Sequence, residues 1–319
     1  MENPLVSIIV ITYNSSKYVL ETLESAKAQT YQNIELIISD DGSQDETVEL
    51  CEKWLAANKD RFIDSQIITV EKNTGIPANC NRGVKASHGE WIKLIAGDDV
   101  LLNNCIKDNI EHVRNSDIKI LFSKLRIFDK KAQYDMRPSV VTFFEKESDE
   151  QFKMLLECDH VGNTPTIFIN KKLIGQLGYY DEEFCLIEDY PFWIKCAQNG
   201  NKLHFMNKLT VLYRLHDSSV SLSERNKNHL VDKVDYRNEA LKEKYVYPHY
   251  TIFGKMRHKY SHFLNKLFLN KKNNASNKTY KLLLEKYVNP FYYVYYFFLK
   301  FFNKNIDIKS NLTVTRKIK

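Results

Sequence analysis

The strongest constraint in this chain is a rhythm in its first hundred residues. Short runs of β-branched and aliphatic residues alternate there with amphipathic helical patterns, an order that folds as β-α-β units on a mainly parallel sheet. Residues 6–12, VSIIVIT, read as a strand covered on both faces. A helical pattern follows over residues 17–29, with Val19, Leu23 and Ala26 on one face. Further strands are predicted at 34–39 (IELIIS), 67–70 and 91–95, the last ending at Gly97-Asp98-Asp99. Ser43 and Glu46 fit a capping box opening a helix on which Val48, Cys51 and Leu55 share a face, and residues 77–86 read as another helix.

Beyond these units the pattern predicts strands at 117–128, 164–169 and 203–213 and a helix at 190–198, with residues 136–149 as a mobile connection. At 319 residues there is room for about two domains. The charge divides accordingly: residues 223–319 hold 21 Lys/Arg against 7 Asp/Glu, whereas residues 1–222 hold 25 against 33. We therefore expect a catalytic domain over 1–222 and a basic, aromatic, helical region over 223–319. With 43% hydrophobic and 27% charged residues, the composition speaks against wholesale disorder and a multi-span membrane protein. The apolar run at 5–11 follows Glu2 rather than a basic segment and reads as a strand, not a leader. Cys51, Cys80, Cys105, Cys158, Cys185 and Cys196 are scattered without CxxC pairs, which speaks against a zinc site or disulfide framework and for a reducing cytoplasm.

In an open α/β sheet, ligands bind outside the carboxyl ends of the strands. Here those ends carry Thr12-Tyr13-Asn14, Asp40-Asp41-Gly42-Ser43 and Asp98-Asp99. Asp-Gly-Ser before a helix is equally an ordinary turn and cap. Two adjacent carboxylates after an apolar strand repel unless a cation or donors compensate, and hard oxygen ligands suit Mg2+ or Mn2+ carrying a diphosphate. A second acidic pair, Glu188-Asp189, stands at a helix start among apolar residues, either as a dipole-complementing cap or as a general base. His216 is either a ligand or an ordinary surface or core residue. GxGxxG after the first strand, GxxxxGK[ST], HExxH and GxSxG are all absent, so phosphates must be held by a metal and side chains.

Taken in order over residues 4–222, these motifs resemble the inverting family 2 glycosyltransferases. The resemblance rests on residues 6–14, Leu23 to Thr30, Glu35 to Ser43, Asn73-Thr74-Gly75 through Asn81-Arg82-Gly83, Gly89-Glu90-Trp91-Ile92 leading to Asp98-Asp99, Glu188-Asp189 and Tyr213-Arg214-Leu215-His216. It implies a GT-A nucleotide-diphospho-sugar transferase fold, a Rossmann-like mixed sheet flanked by helices, here with a C-terminal helical extension. By the same resemblance, Thr12, Tyr13 and Asn14 line the base and ribose, Asp41 accepts from the base with Asp40 in support, and Asn81 contacts the nucleotide. Asp98 faces the ribose and Asp99 holds Mn2+ or Mg2+ on the diphosphate. Asp189 is the catalytic base beside Glu188, and Arg214 and His216 reach the diphosphate or the acceptor-side loop, His216 also serving the metal. Cys80 stands where the family often has arginine, leaving Arg82 to carry that charge, and Gly97 stands where a further aspartate is common.

The implied reaction moves a sugar from a nucleotide-sugar donor, a UDP-sugar, to a hydroxyl. Residues 291–302, FYYVYYFFLKFF, lie among lysines and are too short to span a bilayer. They read either as a core helix or as an anionic-membrane surface contact, the latter suiting a polyprenyl-diphosphate-linked saccharide acceptor at the inner face of the cell membrane. Nucleic acid is not expected, because the front domain is acidic and no recognition motif is present. The competing reading from another class is a catalytically silent nucleotide-sugar-binding or scaffold subunit. A nucleotidyltransferase would need a glycine-rich basic loop where Tyr13-Asn14-Ser15-Ser16 stands.

Overall fold

The computed structural model describes residues 3–128, 133–136, 141–157, 164–216, 239–269, 289–291 and 293–294. The chain divides into two compact units, Met1–Arg237 and Asn238–Lys319.

In the first unit, β1 (Val6–Thr12) and β2 (Ile34–Asp40) run parallel, with α1 (Val19–Lys27) between them in sequence. α2 (Thr47–Asn58) leads to β3 (Ser65–Ile68), parallel to β2, and α3 (Ile76–Ala86) to β4 (Trp91–Ala96), parallel to β1 on its other side. There follow β5 (Val100–Leu101), α4 (Cys105–Val113), β6 (Ile120–Phe128), β7 (Gln133–Met136), α5 (Ser148–Glu157), β8 (Phe168–Asn170), α6 (Lys171–Gln176), α7 (Asp189–Gln198) and β9 (His204–Arg214). Among the described residues the nine strands form one sheet in the order β3-β2-β1-β4-β8-β6-β9-β5, with β7 on β6. β8 is antiparallel to β4 and β6, so the parallel half becomes mixed at that point.

β1 and β2 are buried almost throughout, which is why their sequences carry no polar alternation. Val6, Ile8, Val10, Leu36, Ile38 and Ile95 share a core with Leu23, Ala26, Cys51, Trp54 and Ile106 from the helices. Each valine, leucine and isoleucine among them contributes about 1.5–3 kcal/mol on burial. α3 packs against β1 through Gly83, where a Cβ would stand 2.3 Å from Ile9 Cγ2. Farther along, Phe122 meets Trp193 edge-on at 5.0 Å and Phe144 at 5.6 Å.

Several expectations need correction. The first helix begins at Val19 rather than 17 because Ser15 and Ser16 give their amides to Thr47 Oγ1 and Asp45 Oδ2. No capping box forms: α2 starts at Thr47, and Ser43 Oγ donates to Asp40 Oδ2 while accepting from the Asn14 amide. The third strand lies at Ser65–Ile68, where it pairs with Leu36 to Ser39, not at 67–70. The stretch read as a mobile connection contains β7's last residue, a turn at Val141–Phe143 and the start of α5. Phe143 is fully buried, and buried Gln151 ties its carbonyl and that of Leu203 together at 3.1 and 2.8 Å. Residues 164–169 are a turn (Thr164–Thr166) running into short β8 rather than one strand.

In the second unit, α8 (Ile252–Leu269) follows a turn at Tyr247–His249, and Tyr247 donates to Glu239 Oε1 at 3.1 Å. Ile252, Met256, Tyr293 and Val294 are exposed. Most of the aromatic run at 291–302 lies outside the described residues, and among those described no helix is long and apolar enough to cross a membrane.

Candidate active site

Because β2, β1 and β4 are parallel neighbours, their carboxyl ends lie along one edge, bringing Asp40-Asp41, Thr12-Tyr13-Asn14 and Asp98-Asp99 into one row. Asp40 is buried and accepts from Thr12 Oγ1 at 2.8 Å, the Ser43 amide at 2.8 Å and the Gly42 amide at 3.1 Å. It shapes the turn. Asn14 sits in the left-handed region and accepts from the Gln44 amide at 2.8 Å, leaving the Tyr13 ring exposed beside it. Gly97 closes the row: a Cβ there would stand 2.8 Å from Thr12 Cγ2.

Asp41 is buried too. Burial alone would raise its pKa, but donors from Thr74, Arg82 and Gly75 outweigh it and hold the carboxyl below the usual range. These contacts fix the loop before α3. That loop continues through Gly75 (φ 98°), whose missing side chain admits Cys185 and lets the Ile76 amide reach the Cys185 carbonyl at 2.9 Å. The donor-edge turn is thereby joined to the loop that leads to Glu188.

At the end of β4, Asp98 is part-exposed and its Oδ2 lies 2.9 Å from His216 Nε2. Asp99 is fully buried. Its Oδ1 accepts from the Arg214 amide at 2.9 Å, while Oδ2 has no hydrogen-bond partner among the described residues. Burial, then the Asp98 charge, push its pKa well up. The structure thus sets His216 against Asp98 rather than Asp99. Arg214 does not point into open space: its Nε donates to the Asp98 carbonyl at 2.8 Å and its guanidinium lies between the Tyr18 and Phe128 rings, paired with Glu21. Asn81 likewise acts as a brace, its amide exchanging hydrogen bonds with both Tyr180 backbone groups and donating to Glu182 Oε1 at 2.7 Å. Asn81 was expected at the nucleotide and Arg214 at the diphosphate or the acceptor-side loop; here Asn81 bonds to Tyr180 and Glu182, and Arg214 to the Asp98 carbonyl and Glu21.

At the start of α7, Asp189 accepts from Thr164 Oγ1 and from the Tyr190 amide, each at 2.6 Å. Glu188 beside it retains some exposure as a residue, yet its carboxyl is enclosed by protein. Burial and the Asp189 charge raise it to about 8. Of the pair, Asp189 is the member with donors aimed at both oxygens.

Sequence reasoning gave no individual role to Thr74 and passed over Thr164, Tyr18 and Glu21, whose partners lie far away in sequence. Lys93 did carry a local signal: it is a charge in the middle of the apolar strand WIKLIA, fully buried, with Nζ donating to the Pro165 carbonyl at 2.7 Å and that of Ile167 at 3.2 Å.

Two places could hold a cation. Glu35, Asp64 and His88 lie within ligating distance of one another, but at the opposite, amino edge of the sheet, where Glu35 is already the acceptor for Ser7 and for the His88 and Gly89 amides. At the carboxyl edge stand the part-exposed Asp98 carboxyl, its partner His216, and an Asp99 oxygen that has no hydrogen-bond partner among the described residues. One or two carboxylates completed by substrate phosphates are how Mg2+ is commonly held, and the Asp98 and Asp99 carboxyls at this edge, with the His216 imidazole on Asp98, fit that pattern.

Comparison with known proteins identifies the family and the fold. The family model "Glycosyl transferase family 2" matches residues 7–177. An uncharacterized glycosyltransferase, MJ1057 of Methanocaldococcus jannaschii, is 26% identical over 84% of this chain and 84% of its own length. WfaP of Escherichia coli, a UDP-Glc:alpha-D-GlcNAc-diphosphoundecaprenol beta-1,3-glucosyltransferase, is 29% identical over 69% of this chain and 81% of its own. Among solved structures, S. aureus TarS 1-349 superposes with a TM-score of 0.56 at 20% identity, covering 85% of this chain and 73% of that one; this chain spans 37% of a longer TarS chain. The same TarS fragment has been solved with UDP-GlcNAc. The mixed α/β fold of TarS is the fold found here, as the GT-A resemblance implied.

Proposed function

The chain belongs to glycosyl transferase family 2, and from that premise we propose that it transfers a glycosyl group, with inversion, from a UDP-sugar to a hydroxyl of a lipid-linked saccharide in surface polysaccharide synthesis. The observation that carries this reading is the fully buried Asp99 carboxylate, one oxygen unpartnered among the described residues, behind the accessible Asp98–His216 pair. Such an arrangement is costly unless a cation or ligand completes it.

In this reading Thr12, Tyr13 and Asn14 line the nucleoside, with the exposed Tyr13 ring offering a stacking face, and Asp41 with Arg82 forms the floor beside them. Asp98 and His216 would hold Mn2+ or Mg2+, with Asp99 in support. Bound there, the cation would neutralise charge developing on the departing diphosphate. Arg214 keeps Asp98 and Asp99 in place, and Asn81 keeps the 180–182 loop in place. Asp189 takes the proton of the acceptor hydroxyl as its oxygen bonds to the anomeric carbon and the bond to the diphosphate oxygen breaks on the opposite face. Glu188 lies beside Asp189, its carboxyl held toward the protonated form by burial and by its acidic neighbour.

The names of WfaP and TarS support a UDP-sugar donor, and that of WfaP a lipid-linked acceptor. The basic composition of residues 223–319 supports docking on the anionic inner face of the cell membrane. We assign catalysis to residues 1–222. A thermal-shift screen of nucleotide sugars with and without Mn2+, followed by assay of nucleotide release, tests the proposal. Stabilisation by a UDP-sugar that depends on the metal, and UDP release, are expected; stabilisation indifferent to Mn2+ would remove the cation from the reading.

A further inference from the structure

A lysine buried in the middle of a strand is an expensive feature. Lys93 is fully buried in β4, on the side chain layer it shares with Trp91 and Ile95, and burial depresses its pKa. An apolar residue of that size would pack there at lower cost. Its ammonium is nevertheless well provided for. Antiparallel β8 lies beside β4 with Phe168 opposite Lys93, and the turn entering β8 places the carbonyls of Pro165 and Ile167 within reach of Nζ, at 2.7 and 3.2 Å. The same turn begins at Thr164, whose hydroxyl donates to Asp189 Oδ2 at 2.6 Å.

We propose that Lys93 is a positioning residue for the reaction: from inside the sheet it fixes the Thr164–Thr166 turn so that Thr164 aims Asp189 at the acceptor hydroxyl, and it links that turn to the strand carrying Asp98 and Asp99. The inference rests on the reading of Asp189 as the base. The strand that ends in the cation-binding carboxylates therefore also sets the position of the base, through one ammonium and one hydroxyl. Small misplacements of a reacting group are costly in rate while leaving ground-state binding alone.

The test uses the full chain, with UDP as the binding probe and whichever UDP-sugar the parent protein turns over as substrate. Lys93→Met keeps the length and removes the charge; Thr164→Val removes only the hydroxyl, and Thr164→Ser restores it. Both Lys93→Met and Thr164→Val should lower kcat on the order of 10- to 100-fold, with UDP affinity unchanged and Thr164→Ser near the parent rate. In Lys93→Met, amide hydrogen exchange over residues 164–170 should quicken while that of β1 and β2 stays as in the parent. A native kcat in either variant, or a kcat loss matched by loss of UDP affinity, overturns the proposal. Asp189→Asn at the parent rate, or no turnover of any donor by the parent, would instead remove the base assignment on which it rests.

Discussion

Arg82 and Asp41 form an ion pair with 2.6 Å between Nη2 and Oδ1, largely closed off from solvent, at the junction of the donor edge and the loop before α3. Thr74 donates to the same Asp41 oxygen at 2.6 Å, so the carboxylate is the hub from which the 73–75 loop hangs. Removing one partner of an enclosed pair leaves the other uncompensated, which typically costs about 3–5 kcal/mol. Arg82→Met should destabilise the protein toward the lower end of that range, because Thr74 and Gly75 still solvate Asp41. Urea denaturation checks this, and a loss under about 1 kcal/mol would mean that the pair is no hub.

Glu188 predicts a pH dependence of the opposite sign to Asp41. Its carboxyl holds its proton up to about 8 in the fold, against 4.5 for the exposed group. Between those values the folded state binds more protons than the unfolded chain, so this residue's contribution to stability falls as pH rises through the window. Glu188→Gln cannot ionise. Its melting temperature should exceed the parent's by several degrees at about pH 9 and match it at about pH 4. A constant offset at both would mean that the effect is packing, not ionisation. For Asp41, held below its usual range, the stabilising contribution is present above about pH 4 and lost as pH falls through the folded value.

What the chain disclosed in advance follows from burial. VSIIVIT, IELIIS and WIKLIA were legible as strands because both of their faces are covered, and the polar residues that follow them were legible because parallel neighbours must present the same ends on one edge. Residues whose partners lie far away in sequence were not. Ser43 has the right spacing for a helix cap, yet its hydroxyl is taken by Asp40 and Asn14. His216 meets Asp98 only because β9 pairs with β5 in one register, Val100 opposite Leu212. Asn81 looks the same in sequence whether it faces a nucleotide or, as here, Tyr180. Residues 141–149 look like a loop because the side chain that ties down Phe143, that of Gln151, has its other anchor at Leu203, far away in sequence.

Gly75 gives a sharper geometric prediction. Its φ of 98° disfavours any side chain, and a Cβ would stand 2.6 Å from the Cys185 Cβ and 2.7 Å from its carbonyl oxygen. Gly75→Ala must therefore part the 73–75 loop from the loop leading to Glu188, at a cost of about 1–3 kcal/mol for the backbone strain alone. Because the Ile76 amide bonds to Cys185, hydrogen exchange at Ile76 should rise together with that over residues 185–190. Unchanged exchange at either loop would show that the two are not mechanically joined.

The last prediction separates cation from base. If Asp98 and His216 hold a divalent cation that anchors the diphosphate, the stabilisation that Mn2+ adds to UDP should vanish in Asp98→Asn and weaken in His216→Ala, while melting without ligand changes little because both side chains are part-exposed. Asp189→Asn should behave in reverse. It keeps a side chain able to accept from Thr164, so UDP and Mn2+ should stabilise it as they do the parent, while turnover falls on the order of 10²- to 10⁴-fold. Loss of metal-dependent UDP binding in Asp189→Asn would place the cation at α7 rather than at the end of β4, and undiminished turnover would leave deprotonation to another group, with Glu188 the nearest carboxyl in sequence.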